Sequence, residues 1–294
     1  MSRQPAAVAP SWRELWRSTE KRIGDPVQTR WLLEEASGAN GAALLGGLDD
    51  EASPAEAARL ESLVQRRLGG EPLQHVLGHW GFRTLEVAVD PRVLIPRPET
   101  ESVVTLALLE LDRHRRPEPG GPALAVDLGT GSGVIALSLV AERAEVRVIA
   151  TDRSAGALEV ATANRSRLSA GARARLQFRR GDWYQALPRE AVGQVDLIVA
   201  NPPYVAEHEW SGLDAVVRNF DPLEALVSGP SGLEAIEAIV SGAPEWLGRP
   251  GALVVEIAPG QAGAAVELAR GAGFAAAVVE DDDAGRPRVL VARL

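Results

Sequence analysis

The sequence predicts an α/β fold: an open, doubly wound, mostly parallel sheet preceded by a small helical bundle. Three observations carry this. Beyond Pro122, short apolar runs alternate with helix-period segments, as in βαβ units. The first run, Ala123-Leu124-Ala125-Val126-Asp127-Leu128, leads into Gly129-Thr130-Gly131-Ser132-Gly133 and then the apolar stretch Val134 to Val140, giving strand, glycine turn and helix in succession. Before Leu68, apolar residues recur mostly at helical spacing.

From about Ser11 to Leu68 the chain reads as amphipathic helices, with Trp12, Leu15, Trp16, Ile23, Trp31, Leu32 and Leu33 as a bundle core. Ser53-Pro54-Ala55-Glu56 is a helix start: a serine cap, a proline in the first turn and a glutamate three residues after the cap. Leu60, Leu63, Val64 and Leu68 give that helix its apolar stripe, and Gly69-Gly70 stops it. Gly81 to Asp90 alternates like a strand, and Arg92-Val93-Leu94-Ile95 reads as a second one after an Asp90-Pro91 turn, together a hairpin. Helix Val103 to Leu111 and a polar Pro/Gly loop over Arg113 to Gly121 follow. Further strands are expected at Val146 to Asp152, Arg175 to Arg180, Val195 to Ala200 and Leu253 to Ile257, with a terminal hairpin of Ala275 to Glu280 and Arg288 to Ala292. The organisation expected is therefore a helical domain over 1–72, a β-hairpin linker over 73–97 and a catalytic domain over 98–294.

Composition narrows the function classes. The 294 residues carry 31 basic and 40 acidic side chains, net −9, a poor match to a duplex-DNA binder that must neutralise phosphates. Cysteine is absent, which removes disulfides and thiolate metal sites. His75 and His79 are four apart but lack further obvious ligands, so no metal is expected. Met1 to Pro10 has no long apolar core and no run approaches a membrane span of roughly 20 residues, so a cytoplasmic protein is expected.

Asn201-Pro202-Pro203-Tyr204 is the most telling motif. Two prolines cannot continue a ladder, so the strand ending at Ala200 stops there, and Asn201 and Tyr204 sit on a stiff turn at a strand's C-terminal end. That end of an open α/β sheet is where ligands bind. An amide, backbone carbonyls and an aromatic ring suit a planar NH2 group: the oxygens accept its hydrogens and the ring covers its face. Upstream, the G-x-G-x-G turn differs from the dinucleotide fingerprint, but Asp152 at the end of the next strand can accept both ribose hydroxyls of an adenosine.

Together these motifs resemble the class I S-adenosylmethionine-dependent methyltransferases. Asp127 to Gly133 looks like their first motif, and Asn201 to Tyr204 resembles the branch that methylates amino groups. That tetrapeptide is shared by adenine-N6 DNA methyltransferases and protein-glutamine methyltransferases. Leu94-Ile95-Pro96-Arg97-Pro98-Glu99-Thr100-Glu101 is similar to the signature of the peptide chain release factor N5-glutamine methyltransferases (the PrmC/HemK family), and the resemblance runs from Gly70 to the end. Asp221-Pro222 departs from the Glu-Pro common in that family; the charge is kept but the reach is shortened, so Asp221 is not expected to be a contact residue.

The resemblance implies a Rossmann-like seven-stranded methyltransferase sheet with a small N-terminal helical bundle and a β-hairpin linker. It implies S-adenosylmethionine as methyl donor, held by Gly129, Thr130, Gly131, Ser132 and Gly133, with Asn201 also beside it. Asp127 faces its ammonium, or simply caps the turn. Asp152 holds the ribose, or caps the next helix. Asp182 and Trp183 flank the adenine, unless Trp183 is plain core. Asn201, Pro202, Pro203 and Tyr204 bind the acceptor, with Asn201, Pro202 and Tyr204 carrying the chemistry. The implied acceptor is the glutamine of the Gly-Gly-Gln loop of class I release factors, docked with help from the helical domain of a monomer that touches no nucleic acid and no membrane. Arg97, Glu99 and Glu101 either shape the acceptor pocket or form ion pairs, the latter being favoured. Rivals are a glutamine methyltransferase of ribosomal protein L3, an adenine-N6 DNA methyltransferase, and a silent S-adenosylmethionine-binding scaffold.

Overall fold

A computed structural model describes residues 9–113 and 121–294. Most of the loop expected over Arg113 to Gly121, and most of the first ten residues, lie outside the described residues. The chain divides into two compact units, one ending at Gly78 and the other spanning His79–Leu294.

The first unit is helical. Helices Trp12–Ile23, Pro26–Ser37, Gly41–Gly46 and Pro54–Leu68 enclose Leu32, Leu33, Leu60 and Val64, all nearly inaccessible to water. Ser53 and Glu56 form the expected reciprocal cap, the Ser53 hydroxyl accepting from Glu56 N while Glu56 accepts from Ser53 N. The boundary differs from that expected at residue 72. Leu73–Leu77 is a further short helix whose Leu73 and Val76 join this core, so hydrophobic burial carries the unit through Gly78.

The second unit opens with an antiparallel hairpin, β1 (His79–Phe82) and β2 (Leu85–Ala88), with Phe82 opposite Leu85. Its turn lies at Arg83-Thr84, not at Asp90-Pro91. Arg83 adopts a left-handed φ of 50°. It is held there by tertiary bonds: its N–H donates to Glu101 Oε1 (3.0 Å), and its guanidinium donates to both oxygens of Glu142 (2.7 and 2.8 Å). These offset the cost of a left-handed non-glycine residue. Arg92 to Ile95 forms no strand. It is a loop with Val93 and Ile95 buried.

Helix Glu99–Arg113 leads to the main sheet, made of β3 (Ala123–Leu128), β4 (Val146–Asp152), β5 (Leu176–Arg180), β6 (Val195–Ala200), β9 (Leu247–Glu256), β10 (Ala276–Asp281) and β11 (Pro287–Arg293). Between β6 and β9 lies a separate parallel pair, β7 (Val205–Ala206) with β8 (Val227–Gly229). The strand order is β10-β11-β9-β6-β3-β4-β5, and the count of seven is the one the resemblance implies. Only β11 runs against the other six strands, pairing antiparallel with both β10 and β9. The strands β3, β6 and β9 are apolar on both faces because helices cover both, and their residues Val126, Leu197, Ile198, Leu253 and Val254 are fully buried.

The register sets up a functional rim. Leu128 pairs with Thr151 and with Ala200, and Ala200 pairs with Val255. The next residue on each strand is therefore Gly129, Asp152, Asn201 and Glu256, side by side at the C-terminal edge.

Candidate functional site

That edge floors a cavity of about 630 Å³ within the second unit. Its walls come from the glycine turn with Asp152, the segment Gly181 to Trp183, and the two loops Pro91 to Arg97 and Pro222 to Val227. Of the residues expected from sequence, Gly129, Thr130, Gly131, Ser132, Asp152, Asp182, Trp183, Asn201 and Pro203 line it together. Asp127, Gly133, Pro202 and Tyr204 lie just outside the lining.

The glycine turn is shaped by its acids. Asp127 is fully buried, and its Oδ2 accepts from the Thr130 hydroxyl (2.5 Å) and Ala136 N (3.2 Å). Its Oδ1 is buried with no hydrogen-bond partner. Burial is the main cause that pushes this carboxyl up to about 7. A buried anion short of one partner is a cation acceptor. Asp152 Oδ2 accepts from Gly131 N (2.9 Å) and Oδ1 from Ser154 N (2.8 Å), and burial raises this carboxyl too. The cap of helix Ala155–Arg165 is Ser154, whose hydroxyl accepts from Ala157 N, so Asp152 is not that cap. Gly129 has a φ of 72°, and a Cβ there would lie 3.3 Å from the Trp183 ring. Only glycine lets the turn pass this close to the indole. Trp183 itself holds a left-handed φ of 43° and is half-buried, with the adjacent Asp182 exposed in the cavity. Strained backbone in a non-glycine residue on a cavity wall is a mark of a working site.

The Asn-Pro-Pro-Tyr turn is stiffened from outside. Gln261 Nε2 donates to the carbonyls of Tyr204 (3.0 Å) and Gly232 (2.9 Å). Asn201 Nδ2 donates to Thr100 Oγ1 (3.1 Å), and Thr100 Oγ1 donates to Glu256 Oε2 (2.7 Å). The Tyr204 hydroxyl donates to Glu256 Oε1 (3.3 Å), turning the phenol toward the sheet edge. Glu256 is buried, which pushes its carboxyl up to about 7, while Thr100 and Arg288 act in the opposite sense. With its NH2 committed to Thr100, Asn201 has its side-chain oxygen left to accept.

Thr100, Glu256 and Gln261 were not singled out from sequence. Glu256 had a signal: it is an acid closing the otherwise apolar run Leu253-Val254-Val255, on a strand that now proves adjacent to β6. Arg97, Glu99 and Glu101 make ion pairs and hydrogen bonds. Arg97 Nη2 lies 2.6 Å from Asp221 Oδ2, Glu99 pairs with Arg286 (2.8 Å), and Glu101 holds Arg83. Asp221, set aside at the sequence level, thus bridges the two cavity loops, also accepting from Ile95 N (3.4 Å).

Residues 117–222 match the family described as Methyltransferase small domain, and residues 20–78 match the PrmC N-terminal domain. A release factor glutamine methyltransferase of Xylella fastidiosa (strain 9a5c) is 38% identical over 284 residues, covering 97% of this chain and 98% of its own. One from Cereibacter sphaeroides is 40% identical over 265 residues, 90% of each chain. Among solved structures, the hMettl16 catalytic domain in complex with a MAT2A 3'UTR hairpin shares the fold, with a TM-score of 0.54 at 15% identity over 81% of this chain and 80% of that one.

Proposed function

The chain belongs to the release factor glutamine methyltransferase family, and on that premise we propose that the rim formed by Asn201, the glycine turn and Asp152 is where it transfers a methyl group to a glutamine side-chain nitrogen. The enzyme is a protein-(glutamine-N5) methyltransferase that uses S-adenosylmethionine and acts on release factors. The observation that carries the site assignment is the committed Asn201 amide: NH2 bound to Thr100, oxygen left for a substrate NH2.

The residues present fit the cofactor. The orphaned Asp127 oxygen suits an ammonium, and Asp152 suits vicinal hydroxyls. Trp183 and Asp182 suit an adenine face and edge. When bound, S-adenosylmethionine supplies a methyl group on a sulfonium, already a good leaving group. A glutamine amide nitrogen is a weak nucleophile because its lone pair is delocalised. The Asn201 oxygen and the Pro202 carbonyl accept its two hydrogens, orient the nitrogen and favour its pyramidal form. Positioning and fixed dipoles therefore supply most of the acceleration. The nitrogen becomes acidic on methylation, so loss of its proton needs no strong base.

Tyr204 supports the turn and stacks on the acceptor amide. The Gly-Gly-Gln glutamine of class I release factors is the acceptor in this reading, the helical unit docks the substrate, and the chain works in the cytoplasm as a monomer without nucleic acid. The net charge of −9 supports a protein acceptor over a nucleic-acid one, and among the described residues no helix is long and apolar enough to cross a membrane. The test is labelled methyl transfer to purified release factor by wild type and Asn201→Ala, with binding of S-adenosylmethionine measured separately. Lost transfer with retained binding is expected; retained transfer contradicts the assignment.

A further inference from the structure

Asn201 can serve the reaction only if its amide faces one way round. A side-chain amide is nearly symmetrical in shape, so packing does not choose between oxygen and nitrogen at the cavity. Hydrogen-bond direction must choose. Asn201 Nδ2 lies 3.1 Å from Thr100 Oγ1, and Thr100 Oγ1 lies 2.7 Å from Glu256 Oε2. Thr100, on the cavity wall, and Glu256 behind it are both buried, at 3% and 1% exposure, so each relies on its protein partners. A hydroxyl has one proton to give. If Thr100 gives it to Glu256, only lone pairs face Asn201, and the amide must present its NH2 there.

We propose that Thr100 and Glu256 form a positioning relay that locks the Asn201 side-chain oxygen toward the acceptor nitrogen. Glu256 is a positioning residue, acting through Thr100 on Asn201 without contacting the methyl donor or acceptor. The second carboxylate oxygen takes the Tyr204 hydroxyl, so both ends of the Asn-Pro-Pro-Tyr turn are keyed to one carboxylate. An ionised carboxylate only accepts and forces this direction. A protonated one can donate to Thr100, which frees the hydroxyl proton to turn toward Asn201 and favours the flipped amide.

The relay therefore works when Glu256 is ionised, and turnover falls as pH drops through the point where it protonates. Burial raises that point to about 7. The groups facing Glu256 are Thr100 and Glu99 from helix Glu99–Arg113, Tyr204 from the turn and Arg288 from β11, with Arg286 and Asp282 behind Glu99 and Arg288. Arg288 favours the ionised form and Glu99 opposes it.

This inference rests on the function proposed above and is tested on the full chain, with purified release factor and saturating S-adenosylmethionine, so that binding changes at Asp127 enter KM and not kcat. Thr100→Val keeps the shape and removes the hydroxyl. It should lower kcat about 100-fold with binding of S-adenosylmethionine unchanged, and Thr100→Ser should recover most of the loss. Glu256→Gln is the second variant, informative whether or not Thr100→Val folds. It should lower kcat and abolish the acid limb that wild type shows near pH 7. Wild-type kcat in Thr100→Val, or an acid limb retained in Glu256→Gln, overturns the relay. Failure of the wild type to label glutamine instead overturns the function on which it rests, so the two failures are distinct.

Discussion

Asp127→Asn separates stability from cofactor binding in opposite directions. The wild-type carboxyl is fully buried and raised from 3.8 to about 7, chiefly by burial. At about 1.4 kcal/mol per pKa unit, this disfavours the folded state by about 4 kcal/mol once the group is ionised in both folded and unfolded chains. The sign follows from proton binding. Between 3.8 and 7 the folded chain holds a proton that the unfolded chain has lost, so stability falls as pH rises through that window and levels off above it. Asparagine keeps an oxygen for Thr130 and Ala136, has no charge to bury and does not titrate. The variant should therefore gain on wild type by about 3 kcal/mol between pH 5 and pH 8, read by urea denaturation without added cofactor. Subtracting the two curves cancels the similar slope from Glu256. Binding should move the other way. Losing the negative partner of the cofactor ammonium should weaken S-adenosylmethionine affinity about 10- to 100-fold by calorimetry. A stability difference constant with pH, or unchanged affinity, refutes the assignment of Asp127.

Two further perturbations test the scaffold. Gly133→Ala places a Cβ 3.1 Å from Leu137 Cδ1 and 3.2 Å from Ala161 Cβ at a φ of 88°, and should cost about 1–3 kcal/mol in urea denaturation; a neutral effect would contradict that packing. Arg97→Ala removes the guanidinium from Asp221, whose side chain is 2% exposed, but Arg97 itself is 34% exposed. The expected loss is about 2 kcal/mol, below the range for fully buried pairs, with a raised KM for S-adenosylmethionine as the two cavity loops separate. Unchanged stability and KM would show that the ion pair is decorative.

What sequence makes legible here is whatever a few consecutive residues enforce. Two prolines stop β6 whatever surrounds them, and the glycine turn between apolar strand and apolar helix is equally local. The seven strands were readable because each run of strand-forming residues is short and bounded by turn residues. The hairpin was misplaced because Asp90-Pro91 is a strong local signal, whereas the real turn depends on Glu101 and Glu142 pinning Arg83 in a conformation that arginine seldom adopts alone. The helical unit's end was misplaced because Leu73 and Val76 show their partners only once the bundle is packed.

The candidate site divides the same way. Asn201 was visible, but the residues that orient it were not. Thr100 lies 101 positions before Asn201, and the Thr100–Glu256 bond spans 156 positions. Nothing local ties an acid on β9 to a threonine at a helix start. The tie exists because β9 pairs with β6 in a register that aligns Val255 with Ala200. Asp221 was discounted for its short reach, yet the structure turns its loop so that this reach suffices for Arg97.

The most direct measurement is methyl transfer from labelled S-adenosylmethionine to purified release factor, comparing wild type with Asn201→Ala and comparing native acceptor with one whose Gly-Gly-Gln glutamine is alanine. Label that requires both Asn201 and that glutamine is the predicted result. Label that persists when either is removed, or that appears on ribosomal protein or DNA instead, would contradict the account.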